Sequence, residues 1–254
     1  MASLSVRDLS LSFGGVQALE GVSVEIPDRS LFAVIGPNGA GKTSFFNCLT
    51  GYYRPTAGSV LLGERDVTCL PAAEVAALGI RRTFQNVRVF PKLSARENVL
   101  AGAHLRASAG LIGTLFGTPR HRRGERALRE EAERWLEFVG LADKAAVLAG
   151  DLAYGVRKRL EVARALIAQP SILLLDEPAA GVSSVEREEL STVIRRVAAD
   201  GVTVVMIEHD VELVMQLAVG VAVLDRGRLL LQGSPEEVRA DPRVVEAYLG
   251  RKQR

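Results

Sequence analysis

Cysteine is scarce in this chain: Cys48 and Cys69 are the only two among 254 residues. Their spacing fits no paired-thiol motif, which excludes a disulfide framework and a thiolate metal site. They read as small buried hydrophobes or free thiols in a reducing compartment. An excess of one charge is also missing. Lys plus Arg number 32 against 30 Asp plus Glu, a net charge of +2, which argues against bulk nucleic-acid binding. Long apolar runs are absent too. The longest, such as VTVVMI at 202–207, fall far below the roughly 18–20 residues that span a bilayer. No N-terminal stretch has the form of a signal peptide. These absences predict a soluble cytoplasmic protein, with proximity to a membrane left open. What is present is 48% hydrophobic and 24% charged residues, enough for a sizeable core and too apolar for disorder.

Patterning along the chain predicts an α/β fold. Leu9, Leu11 and Phe13 alternate as one face of a strand over 3–13. LFAVI at 31–35 is a continuous apolar run, as in a strand covered on both faces. A glycine-rich turn and a helix over FFNCLTG follow, closed by Gly51. SVLLG at 59–63 and IRRTF at 80–84 read as strands. From about 94 to 168 the pattern is helical, with Leu128, Ala132, Trp135 and Val139 on one face. After Pro170 come three strand–helix alternations at 172–175, 202–207 and 221–224, the mark of a mainly parallel sheet. The helical block reads as an insertion, approximately 88–168, within a single domain spanning 1–254. ASAGLIGTLFGT at 107–118, followed by the basic PRHRRGER, is either a surface loop or a contact with a membrane-embedded partner.

GPNGAGKT at 36–43 follows a buried strand and opens a helix, the context a phosphate-binding P-loop requires. Gly36, Gly39 and Gly41 let the backbone curl until successive N–H groups face one phosphate chain. Pro37, Asn38, Ala40 and Ser44 complete that cradle. Lys42 neutralises the β- and γ-phosphates, and the Thr43 hydroxyl is a candidate Mg²⁺ ligand. The expected ligand is a nucleoside triphosphate. ILLLDEP at 172–178 places Asp176 and Glu177 at a strand end, where ligands of such sheets bind. Asp176 is expected to hold Mg²⁺ through water, and Glu177 to orient and deprotonate the attacking water. His209 ends the next strand and is expected at the γ-phosphate. Gln85 follows the IRRTF strand, where its amide suits water, metal or a neighbouring surface. Phe13 fits an adenine stack and plain core packing equally. Gly155, in LAYGVRKRLEVARAL at 152–166, stands just before a basic amphipathic helix and suggests an anion site at that helix start.

With these motifs in order, the chain resembles ABC-transporter ATPase subunits along essentially its whole length. GPNGAGKT, Gln85, LAYGVRKRLEVARAL, ILLLDEP and His209 match the family's P-loop, Q-loop, signature, second carboxylate motif and switch histidine. RTFQNVRVFPKLSARENVLAGAH at 82–104 and GSPEEVRADPRVVEAYLG at 233–250 look most like the ATPase subunits of branched-chain amino-acid importers. The resemblance implies a P-loop core with an antiparallel β subdomain and an inserted helical subdomain. It implies ATP and Mg²⁺, a head-to-tail dimer with a second ATPase subunit, and two transmembrane permease subunits on the cytoplasmic face of the inner membrane. A solute-binding protein would act indirectly. In such a dimer Tyr154 and Gly155 would meet the ATP held by the partner's P-loop. Three positions depart from the family pattern: Ala153 where Ser is usual, Val156 where Gln or another polar residue is usual, and Ser183 where Asp or Asn is usual. The weakened signature favours a paralogous partner over a second copy. A permease-independent soluble ATPase and a non-catalytic nucleotide-binding regulator are the alternatives.

Overall fold

A computed structural model of the chain describes residues 3–83, 87–103 and 119–249. Gln85 and the 107–118 stretch lie outside the described residues. The chain divides into two compact units: Met1–Arg82, Ser171–Pro178 and Ile194–Arg254 form the first, Thr83–Pro170 and Ala179–Val193 the second.

The first unit opens with β1 (Leu4–Phe13) and β2 (Val16–Ile26), an antiparallel pair, then β3 (Leu31–Ile35) and helix α1 (Lys42–Leu49). Strands β4 (Ala57–Leu62), β5 (Arg65–Asp66) and β6 (Ile80–Arg82) follow. Its later segments supply β7 (Ile172–Asp176), β8 (Thr203–Ile207), β9 (Gly220–Asp225) and β10 (Arg228–Gly233). One sheet has the order β2-β1-β4-β5 and is antiparallel. The other has the order β10-β9-β3-β8-β7-β6; it is parallel apart from β10 at its edge. Every residue of β3, β7 and β8 is buried, so these strands read as unbroken apolar runs.

In β1 the alternation changes parity. Leu4 and Val6 are buried, and so are Leu9 and Leu11. Asp8, at φ 48°, interrupts the pairing between Val6 and Leu9. A bulge of one residue turns the next side chains to the other face, which restores burial to the odd-numbered leucines. Phe13 does not continue that buried face: it is 46% exposed at the strand end, edge-on to Tyr53 at 5.1 Å. Strand β6 stops at Arg82, shorter than the expected 80–84.

The second unit is helical, with helices at Ala95–Gly102, Pro119–Phe138 and Tyr154–Leu166. Ser94 and Glu97 form a reciprocal capping box at the first. Ala132 and Leu136 are buried on the packing face of the second, and Val139 is buried just after its end. A further helix, Ser184–Ala199, begins in this unit. Cys48 is buried and Cys69 exposed, both as free thiols, and burial pushes the Cys48 thiol up to about 11.

Candidate functional site

The parallel sheet gathers the chemistry-bearing residues at one edge. Val34 of β3, Ile207 of β8 and Asp176 of β7 form one row across three neighbouring strands. The chain leaves these strands at Gly36, Glu208 and Glu177. Residues far apart in sequence therefore emerge side by side at the carboxyl edge, where parallel sheets bind ligands.

The 36–44 loop has the geometry of an anion cradle. Gly41 caps α1 at φ 102°, and a Cβ there would lie 2.6 Å from the Ala18 carbonyl oxygen. No other residue fits both the conformation and the space. Pro37 and Ala40 are buried, Asn38 and Gly39 are exposed, and the Ala40 N–H donates to the Pro37 carbonyl at 3.1 Å. Lys42 is 6% exposed and its Nζ donates to the carbonyls of Gly36 (2.6 Å) and Pro37 (3.0 Å). The side chain thus folds back onto the carbonyls of its own loop. Thr43 is exposed and Ser44 half-buried in the first turn of α1, with no acidic residue in that turn. An N-terminus with this dipole and these amides suits a polyphosphate.

Asp176 is nearly buried and accepts a charge-assisted hydrogen bond from Arg82 Nη2 at 2.6 Å. Arg82 Nη1 donates to Asn47 Oδ1, also at 2.6 Å. Glu177 holds the left-handed backbone (φ 47°), fixed by its N–H donating to the Ile207 carbonyl at 3.0 Å. Such a conformation costs a non-glycine residue about 1–3 kcal/mol and clusters at functional sites. It brings Glu177 Oε1 into direct contact with His209 Nε2. Glu177 is 12% exposed at its side chain and His209 44%, so the pair lines a surface that water reaches. Thr43 and Asp176 offer the hard oxygen ligands that Mg²⁺ prefers.

In the second unit Gly155 is not outside its helix, as the sequence reading placed it. The helix runs Tyr154–Leu166 with Ala153 at its N-cap, so Gly155 is the second helical residue. Ala153 makes no side-chain cap bond. The Gly155 N–H donates instead to Glu186 Oε1 at 3.2 Å. Glu186 Oε2 accepts from the Ser183 N–H (3.0 Å) and hydroxyl (2.9 Å). Those donors, Ser183 first and Gly155 after, hold the Glu186 carboxyl below its ordinary range. A Cβ at position 155 would lie 2.4 Å from that carboxylate, so close approach explains the glycine. Tyr154 is exposed, with Lys158 Nζ 5.6 Å from its ring centre. Arg82, Asn47 and Glu186 were not singled out from sequence. The Ser183-x-x-Glu186 spacing, a capping-box pattern, was the one available signal.

Comparison with known proteins identifies the family. The ABC transporter family model matches residues 19–180, and the model for the branched-chain amino acid ATP-binding cassette transporter matches 228–252. The chain is 44% identical over 97% of both chains to BraF of Pseudomonas aeruginosa, a high-affinity branched-chain amino acid transport ATP-binding protein. It is 43% identical, with the same coverage, to LivG of Escherichia coli, which has the same description. A lipopolysaccharide export ATP-binding protein, LptB of Acidithiobacillus ferridurans, is 35% identical over 97% of this chain and 96% of that one. Among solved structures, the ADP conformation of an ATP-binding cassette from an ABC transporter superposes with a TM-score of 0.86 at 30% identity, covering 98% of this chain and 99% of that one. No helix among the described residues is long and apolar enough to cross a membrane. The chain belongs to the ABC transporter family, as an ATP-binding and ATP-hydrolysing cassette subunit.

Proposed function

We propose that this subunit energises an importer for branched-chain amino acids or similar small polar solutes. Similarity that runs from the P-loop through the C-terminal 228–252 segment carries this reading. Uptake by the assembled transporter in vesicles, with solutes offered in competition, tests it. Preference for an unrelated solute, or export, overturns it.

The chemistry follows from the residues at the sheet edge. The loop amides and Lys42 bind the phosphate chain, joined by Ser44. Phe13, with an exposed ring at the end of β1, stacks on the adenine. Thr43 and Asp176, with Gln85, would hold Mg²⁺, which would supply charge neutralisation at the phosphates. Glu177 takes a proton from the water that attacks the γ-phosphorus, and ADP leaves. His209 orients Glu177 through its contact with Oε1 and lies near the γ-phosphate.

The second ligand-facing surface is the start of the Tyr154–Leu166 helix. Its Gly155 amide covers the ATP of a second cassette subunit, so ATP joins the dimer and hydrolysis releases it. The 1–254 chain acts as one nucleotide-binding domain, and the helical unit carries the permease contact. Phe90, Leu93, Val147 and Leu148 are exposed apolar residues of that unit. The Ala149 N–H donates to the Leu93 carbonyl at 2.9 Å and Ser94 bridges Leu148, so their segments are neighbours. That patch suits two permease subunits at the cytoplasmic face of the membrane. A paralogous cassette is the favoured dimer partner.

A further inference from the structure

Arg82 and Asp176 lie in separate motifs, 94 residues apart, and no single motif pairs them. Arg82 comes from the edge strand β6, and its side chain is 11% exposed; that of Asp176 is 6% exposed. The guanidinium is held on three sides. One nitrogen donates to Asp176 Oδ2, another to Asn47 Oδ1, and the group lies 5.7 Å from the centre of the Phe46 ring. Asn47 and Phe46 belong to α1, the helix that begins with Lys42 and Thr43. Thr43 and Asn47 are four residues apart and so share one helix face. The guanidinium therefore touches the face that carries the Thr43 hydroxyl, and it touches the carboxylate across from it.

We propose that Arg82 is a built-in counter-cation for Asp176, and that it competes with a nucleotide-bound divalent cation for that carboxylate. This rests on the reading of Asp176 as a metal-site residue. A carboxylate this buried is costly without a positive partner. Arg82 meets that requirement while no metal is bound. A divalent cation brings a second positive charge to the same acid, where the low-dielectric surroundings leave the two poorly screened. The guanidinium then yields contact with Oδ2, while Asn47 and the Phe46 ring retain it. Arg82 is thus a positioning residue: it acts on the metal through Asp176 and sets how tightly the metal is held.

The test uses the full chain with ADP, so that no hydrolysis or dimer closure enters the reading. Mn²⁺ binding is measured by electron paramagnetic resonance. Arg82→Gln removes the charge and should tighten Mn²⁺ by roughly tenfold or more, the equivalent of one charge-assisted hydrogen bond. Arg82→Lys keeps the charge and should stay within about threefold of wild type. The melting temperature of Arg82→Gln should fall without metal and recover more on adding Mn²⁺ and ADP than wild type gains. A scaffold role alone would lower it equally with and without metal. Unchanged or weaker Mn²⁺ binding in a folded Arg82→Gln overturns the proposal. Should that variant not fold, the guanidinium ¹⁵N resonance of Arg82 in the wild type decides. It should move when Mg²⁺ joins ADP, and a signal that stays in place overturns the proposal. Asp176→Asn separates the two ideas. If it leaves Mn²⁺ affinity unchanged, the reading of Asp176 fails. If it weakens Mn²⁺ while Arg82→Gln has no effect, only the role of Arg82 fails.

Discussion

Lys42 and Asp176, on the P-loop side, are almost wholly buried, whereas Ala153 and Tyr154, on the signature side, face solvent. The first surface works with charged side chains locked by the sheet edge: Lys42 on its own loop, Asp176 on Arg82, Glu177 on His209. The second offers a backbone amide, and an internal carboxylate already accepts it. Under the proposed function, the first surface performs the chemistry and the second is joined by a partner. On the proposed reading, the signature side depends less on its side chains than the P-loop side does. A backbone N–H survives Ala153 and Val156, while nothing replaces Glu177.

The largest effect is expected where the comparison is sharpest. Glu177→Gln should keep ATP binding and lose about 10²–10⁴-fold in turnover, the usual cost of removing a positioned base. Phosphate release measures the rate, and the ATP-loaded dimer should persist on gel filtration. Wild-type turnover in this variant would remove Glu177 from the chemistry. Lys42→Ala should instead weaken nucleotide binding itself, read by a fluorescent ATP analogue. Equal affinity in the two proteins would mean that the loop amides suffice.

The P-loop side was legible in sequence because its parts are contiguous. A buried strand, a glycine turn and a helix follow one another within 31–49, and each step has its own local cause. Asp176 and Glu177 were legible for the same reason, as acids closing an apolar strand. Partners across the fold were not. Arg82 lies 94 residues from Asp176 and 35 from Asn47, and only the register of β6 beside β7 brings them together. The bulge at Asp8 was hidden because its flanking residues alternate normally on either side. On the signature side, Gly155 is the second residue of its helix and not the residue before it, since Ala153 is a poor cap and gives no start signal. The Ser183-x-x-Glu186 box was readable, but its reach to Gly155, 31 residues away, was not.

The helical unit allows the comparison to be broken from outside the ATP sites. Phe90→Asp together with Leu148→Asp should release most of the subunit from membranes that contain the permease, while basal ATPase activity is retained. Both residues are half exposed, so their replacement leaves the core intact. Recovery with the membrane fraction equal to that of wild type would favour a plain surface patch.

Restoring a hydroxyl to the signature should narrow the gap between the two surfaces. In the assembled transporter, Ala153→Ser adds a donor for a γ-phosphate oxygen. A hydrogen bond to a charged group is worth roughly 1.5–3 kcal/mol, or about 10–150-fold if it acts in the transition state. With each P-loop lysine disabled in turn, only the site built on the partner's P-loop should speed up. No change at either site would make the hydroxyl dispensable and remove the argument for a paralogous partner.

The smallest effect concerns the carboxylate on the Gly155 amide. Glu186 holds that amide with Oε1 and the Ser183 donors with Oε2. A γ-phosphate that approaches Gly155 meets an occupied donor and a like charge beside it. Glu186→Gln removes the charge and keeps the shape, and glutamine still completes a capping box with Ser183. The helix Ser184–Ala199 should therefore keep its start, and the melting temperature should move by only a few degrees. A neutral acceptor competes less well than a carboxylate, by roughly fivefold in an equilibrium constant. In the Glu177→Gln background, the ATP concentration that half-closes the dimer should fall by about that factor. Glu186→Ala should lower it as well, but with a loss of stability from the missing cap. If Glu186→Gln needs as much ATP as its parent, the carboxylate is a cap and no competitor. If it needs more, Glu186 helps closure, and the two surfaces are more alike than their side chains indicate.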